Sequence, residues 1–284
     1  MATPLTADAF LAALRREGVA VVERGDWRNH NRDHIADFGP VNGVMVHHTA
    51  TTGTEESVRL CRDGWPELPG PLCQGVVDKL GGVHLIGHGR ANHAGLGDPD
   101  VLAAVIREDA VLPPPQRDAT DGNTRFYGFE AINLGDGQDP WPPEQFEALA
   151  RTTAAVCRAH GWNERSALAH KEWTRRKIDP RGFTMAALRQ RVGELLAAAP
   201  PAHTPFPGAD WFRAEPHSPI VTAMAARLVA EGCSAYEGEP GPRWDADHQA
   251  SYAAWQRRLG FTGADADGWP GAYSWNALRV PTRD

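Results

Sequence analysis

Residues 42–50 read Asn42-Gly43-Val44-Met45-Val46-His47-His48-Thr49-Ala50. The Val-Met-Val run follows a turn-forming Asn-Gly pair and is too short for a helix, so it reads as a buried strand ending in two histidines. Working outward, residues 19–23, 75–78, 83–86 and 126–133 have the same extended character, and Gly81-Gly82 between the second and third of these reads as a hairpin turn. Residues 7–16 form an amphipathic helix. Pro142-Pro143 suits the first turn of another, with Phe146, Leu149, Thr153, Val156 and Cys157 on one face and Gly161 as its stop. Thr184 caps a further helix striped by Leu188, Val192, Leu195 and Leu196. Strands mixed with helices in this order predict an α/β domain over residues 1–199, a mixed central sheet flanked by helices.

Beyond it the composition shifts. Residues 197–207 are rich in Pro and Ala without periodicity, and residues 200–216 are expected to be a stiff linker. Residues 217–284 then read as a small three-helix module. Ser218-Pro219 opens one helix, Asp245 a second with Tyr252, Trp255 and Leu259 on one face, and residues 274–278 a third. Five of the chain's ten Trp, at 211, 244, 255, 269 and 275, fall in this last quarter and give it an aromatic core.

Across 284 residues, 42% apolar and 23% charged content describes an ordinary globular protein. The net charge of −7 argues against a nucleic-acid partner. The longest fully apolar stretch, residues 101–106, is far short of a membrane span. The first residues lack a basic segment before an apolar run, so no secretory signal peptide is expected and synthesis in a reducing cytoplasm is the default. Cys61, Cys73, Cys157 and Cys233 form no CxxC pair and do not read as a disulfide framework. Lysine is scarce: only Lys79, Lys171 and Lys177 among 29 basic residues, which with abundant Arg, Ala, Gly and Pro hints at a GC-rich genome.

Four segments carry chemistry. They are His47-His48-Thr49-Ala50, Asn92-His93-Ala94-Gly95, the strand Tyr127-Gly128-Phe129-Glu130 with a carboxylate in apolar company, and His170-Lys171-Glu172-Trp173 running on to Lys177-Ile178-Asp179-Pro180. A catalytic zinc takes three protein ligands and leaves a fourth position open. His47 or His48, His170 and Asp179 could supply N, N and O from strand ends and loops; the bland reading of the same histidines is hydrogen-bonded residues near a core. Alternation puts Glu130 on one face with Gly128 and Ile132. A carboxylate there is either paired or used as an acid and base. Lys177, beside Arg175 and Arg176, reads on its own as a solvated loop charge.

Together, HHTA, NHAG, the GxE strand and HKEW…RKIDP, over residues 40–182, resemble the zinc-dependent type 2 N-acetylmuramoyl-L-alanine amidases, which share a fold with peptidoglycan recognition proteins and one class of phage lysozyme. The resemblance implies Zn2+ held by His47, His170 and Asp179, Glu130 as general base, and Lys177 steadying charge on the reacting carbonyl. It places Asn92 and His93 in the substrate groove and gives His48 no ligand role. Cys73 stands where many members carry Tyr, and a thiol cannot replace a phenol as a donor. Residues 217–281, with Trp255-Gln256, Asp267-Gly268-Trp269 and Ser274-Trp275, are similar to peptidoglycan-binding domains of actinobacteriophage lysins, with Trp269 as the expected sugar contact. The implied whole is a bacteriolytic phage endolysin, monomeric and not membrane-inserted. It would accumulate in the host cytoplasm and cut bacterial peptidoglycan between N-acetylmuramic acid and L-alanine. The alternative is a peptidoglycan recognition protein that binds without cutting.

Overall fold

The computed structural model describes residues 2–79, 81–200, 203–204, 206–213 and 215–281, and these divide into two compact units, Met1–Pro200 and Pro201–Asp284. The first unit contains strands β1 (Ala20–Glu23), β2 (Gly43–His48), β3 (Gly64–Trp65), β4 (Leu68–Pro69), β5 (Gly75–Val77), β6 (Gly82–Leu85), β7 (Leu96–Gly97), β8 (Thr120–Asp121), β9 (Phe126–Ala131) and β10 (Ala167–Ala169). Its helices are α1 (Ala7–Arg16), α2 (Thr54–Asp63), α3 (Pro99–Ile106), α4 (Pro143–His160), α5 (His170–Trp173) and α6 (Met185–Ala197).

Six strands form one sheet in the order β1-β6-β5-β9-β2-β10. All neighbours run parallel except the β5–β6 hairpin, so the sheet is mixed, as expected from the sequence. At the hairpin turn the Asp78 carbonyl and carboxylate accept the Gly81 and Gly82 amides, at 3.2 and 2.8 Å. Strands β2 and β9 lie inside the sheet with both faces covered, which explains why their sequences are nearly continuously apolar. One face packs Val44, Val46, Tyr127 and Phe129 against Phe10 and Leu14 of α1, Leu149 of α4 and Leu188 of α6. The other packs Met45 and Phe126 with Val101 and Val105 of α3 and Trp173 of α5. Alternation then sends His47 and Glu130, directly opposite each other in the β2–β9 pair, to this second face.

Local chemistry accounts for the helix ends. Thr6 and Thr184 cap α1 and α6 by accepting the Ala9 and Ala187 amides, each at 3.2 Å. Gly161, with φ 71°, closes α4 in the left-handed region where glycine carries no steric penalty. Helices α2 and α3 and strand β10 were not anticipated. Residues 101–106 read only as an apolar run, although Asp98 caps α3 by accepting the Asp100 amide at 2.7 Å.

The second unit contains α7 (Ala209–Arg213), α8 (Pro219–Ala230), α9 (Ala246–Arg258) and α10 (Ala272–Leu278). The expected linker over 200–216 is corrected in part. Pro201, Ala202, Pro205 and Ala214 fall outside the described residues, but α7 lies within the stretch and its Phe212 is fully buried among Met224, Trp244 and Trp275. The Trp211-Phe212 pair is apolar enough to join a core, which a reading of Pro and Ala content overlooks. Thr204 already donates its amide to Val280 O at 2.6 Å. Trp255 and Tyr252 pack inside and both hydrogen-bond Ser274, at 2.9 and 3.0 Å. Among the described residues, no helix is long and apolar enough to cross a membrane.

Candidate metal centre

Strand pairing brings the chemistry-bearing segments together. β10 runs parallel to β2 with Ala169 opposite Val46, so His47 and His170 leave adjacent strands at the same level. Glu172 accepts the Ala169 amide at 2.9 Å and is gripped by Arg189 at 2.6 Å, which fixes the turn that carries His170. The Lys171 amide donates to Asp179 O (2.9 Å) and its ammonium to Pro180 O (2.6 Å), folding the following loop back so that Asp179 faces the histidines.

The result is a tight convergence. His47 Nδ1 lies 3.0 Å from His170 Nδ1 and 3.0 Å from Asp179 Oδ2, and His170 Nδ1 lies 3.2 Å from the same oxygen. The opposite ring nitrogens decide the tautomers. His170 Nε2 is 3.1 Å from Ala94 O, which can only accept, so the proton is on Nε2 and Nδ1 is bare. His93 Nε2 likewise donates to Phe126 O (3.1 Å), leaving His93 Nδ1 to accept from His47 Nε2 (3.1 Å) and His47 Nδ1 bare. Two bare nitrogens and a carboxylate oxygen therefore point at one spot with no proton between them. Such an arrangement repels itself unless a cation sits there. The separations are close to the edge of about 3.3 Å that a tetrahedron with zinc–nitrogen bonds of about 2.0–2.1 Å requires. His47, His170 and Asp179 are all buried, and theirs is the one such cluster among the described residues. The donor set fits zinc.

The protonation states agree. Burial lowers His47 to about 4 despite its contact with Asp179, and burial holds His93 well below the usual imidazole range. His160, beneath Tyr127, is also lowered to about 4 by burial. An unfolded histidine titrates near 6.5, so between about 6.5 and 4 the unfolded chain binds protons that the folded chain refuses. The stability these groups confer is fully present above about 6.5 and lost as the pH falls. The raised Glu130 carboxyl takes up a proton over part of the same window and offsets some of this loss, but the three lowered histidines outweigh it, so chelator-treated protein should show a melting temperature that declines from pH 6.5 to pH 4. A flat or rising midpoint over that window would contradict these assignments.

Glu130 stands beside the cluster. Its Oε2 is shielded from solvent with no hydrogen-bond partner among the described residues, and burial, with Cys61 and Asp179 adding to it, pushes its carboxyl well above the usual range while Lys177 pulls it back. Lys177 is exposed on the loop two residues before Asp179. Cys73 is fully buried, its thiol against that of Cys61 and raised well above its ordinary range chiefly by burial.

The remaining expected site residues fall in different places. His48 points to the opposite face from His47, where it accepts the Arg181 amide at 3.2 Å and leaves Gly135 no room for a Cβ; of the two histidines, His47 is the one at the cluster. His93, expected in the groove, is 7% exposed, with both ring nitrogens engaged, one of them by His47. Gly128 is required there, since a Cβ would come within 2.6 Å of the His93 ring. Asn92 is half-buried with its amide on Pro69 O (2.7 Å) and its carbonyl on Arg90 (3.2 Å). Trp269, in the second unit, is half-buried and stacks on Trp244 at 5.8 Å. The carbonyls of Ala94 and Phe126 were missed, because backbone groups leave no mark in a sequence.

The family model described as N-acetylmuramoyl-L-alanine amidase matches residues 37–182. Among curated proteins no sequence matches the chain. Similar solved structures include the N-acetylmuramyl-L-alanine amidase AmiD from E. coli with anhydro-N-acetylmuramic acid-L-Ala-D-gamma-Glu-L-Lys, at 18% identity and a TM-score of 0.41, covering 86% of this chain and 90% of that one. AmpDh3 from Pseudomonas aeruginosa in complex with anhydromuramic pentapeptide is similar at 16% identity and a TM-score of 0.39, covering 91% and 97%.

Proposed function

The chain belongs to the N-acetylmuramoyl-L-alanine amidase family, and from that premise we propose that it hydrolyses the amide joining the lactyl group of N-acetylmuramic acid to L-alanine, with zinc held by His47, His170 and Asp179. The observation that carries this reading is the convergence of three bare electron-pair donors beside a buried carboxylate oxygen without a partner.

Zinc held there would polarise the scissile carbonyl and lower the pKa of the attacking water. Glu130 takes a proton from that water and returns it to the leaving nitrogen, so the C–N bond breaks to give a lactyl carboxylate and the free amine of L-alanine. Its raised affinity for a proton suits both halves of that exchange. Lys177 offers positive charge to the carbonyl oxygen as it becomes an oxyanion, a contribution worth about 2.7–4 kcal/mol per donor in other enzymes. Asn92 lies next to the turn that backs His47 and is the groove contact of this reading; His93 acts through His47 instead. Digestion of purified peptidoglycan should expose new N-terminal L-alanine. Binding to the wall without any new amine would contradict the reading and favour a recognition protein.

The second unit, on this view, binds peptidoglycan, with Trp269 stacking on a sugar, and the whole chain acts as a monomeric, phage-type bacteriolytic endolysin. Residues 217–284 hold six Arg against eight acidic residues, so attraction to an anionic wall is not the anchor. Removing residues 201–284 should reduce pelleting with intact walls and leave cleavage of soluble muropeptides near the full-length rate. Undiminished pelleting would remove the binding role.

A further inference from the structure

One side chain holds the backbone turn that touches both histidine rings. Asn123 lies in the short 3-10 turn Gly122–Thr124 that leads into β9, and it is 7% exposed. Its Oδ1 accepts three consecutive amides, those of His93 (2.9 Å), Ala94 (2.8 Å) and Gly95 (3.1 Å). That same turn supplies both outer partners of the candidate ligands: His93 Nδ1 accepts from His47, and Ala94 O accepts from His170. Asn123 is itself fixed. Its amide donates to Asp121 Oδ1 at 3.0 Å, Asp121 is held by Arg90 at 3.0 Å, and the Gly122 amide donates to Gly95 O at 2.8 Å. There is no slack around it, since a Cβ on Gly122 would meet Ala94 Cβ at 2.8 Å.

We propose that Asn123 is the positioning residue of the metal centre, holding the 93–95 turn so that His47 and His170 are both kept with a bare Nδ1 aimed at the ion. The inference rests on the zinc reading of the site. An imidazole presents the nitrogen opposite the one whose proton is engaged, so a shift of this turn releases both tautomers at once. Neither histidine has another acceptor for its Nε2 proton among the contacts described above.

The test uses the full-length protein and zinc itself. Zinc affinity is measured by competition with a chromophoric chelator, alongside the visible ligand-field spectrum of the cobalt-loaded protein, for wild type, Asn123→Ala, Asn123→Ser and Asn123→Asp. Outer-shell partners are typically worth about 10–100-fold in metal affinity. Asn123→Ala is expected to lose that much and to alter the cobalt spectrum, while Asn123→Asp, which keeps an oxygen in the same place, restores both to near wild type. Where the alanine variant does not fold, the serine variant is expected to show a smaller loss with the same spectral change. A purely structural role would lower the melting temperature and leave the cobalt spectrum of the folded protein unchanged. Wild-type affinity and spectrum in the folded alanine or serine variant would overturn the inference. Failure of the wild type to bind zinc would instead overturn the reading of the site on which it rests.

Discussion

Glu130→Gln is expected to lose amide cleavage by about 10²–10⁴-fold, the range that a positioned general base contributes, while its zinc content stays at the wild-type level. Glutamine has nearly the same shape and cannot accept and return a proton. Glu130 lies outside the group formed by His47, His170 and Asp179, so the three donors proposed to hold zinc are untouched. A second readout has a definite sign. Burial raises the Glu130 carboxyl, so the folded state disfavours its charged form, and stability falls as the pH rises above its ordinary value. A neutral amide removes that cost. The variant should melt at or above the wild-type temperature at pH 7, a gain in stability for a loss of activity. Full activity in Glu130→Gln would remove the carboxylate from the proton transfer, and a clear loss of zinc would move it into the coordination sphere.

Asp179→Ala is expected to abolish both zinc retention and cleavage. It removes the one anionic donor of the three, leaving His47 Nδ1 and His170 Nδ1 facing each other at 3.0 Å with nothing to balance a dication. The loss should exceed the about 10–100-fold that outer-shell partners are worth. The backbone of Asp179, which accepts the Lys171 amide, is unaffected by the change, so the loop has reason to hold its course. Metal analysis after dialysis against a weak chelator reads the outcome. Retained zinc would mean that the ion sits elsewhere.

Much of this site was legible in the sequence, for identifiable reasons. The strand ending in His47 and His48 announced itself because an apolar run bounded by Asn-Gly has few other uses, and period-two alternation placed Glu130 beside Gly128. Spacing could not choose between His47 and His48. The pleat does so, sending one to the cluster and the other to the face where Arg181 meets it. The sequence also could not show that the His93 ring is turned inward by two hydrogen bonds, to His47 and to a backbone carbonyl. Asn123 left no trace at all, because its three partners are main-chain amides contributed by a segment about thirty residues away. In the second unit, aromatic content pointed to a core, but the burial of Phe212 inside a stretch that composition assigned to a linker depended on tertiary packing.

One bond is expected to be cut, at one metal centre. Mass spectrometry of peptidoglycan digested by chelator-stripped and then zinc-restored protein tests it most directly. No products are expected from the stripped protein, and after zinc is returned, peptides beginning at free L-alanine together with glycan strands bearing intact lactyl carboxylates. Cleavage that persists without metal, or products that carry new sugar reducing ends or breaks within the peptide, would contradict it.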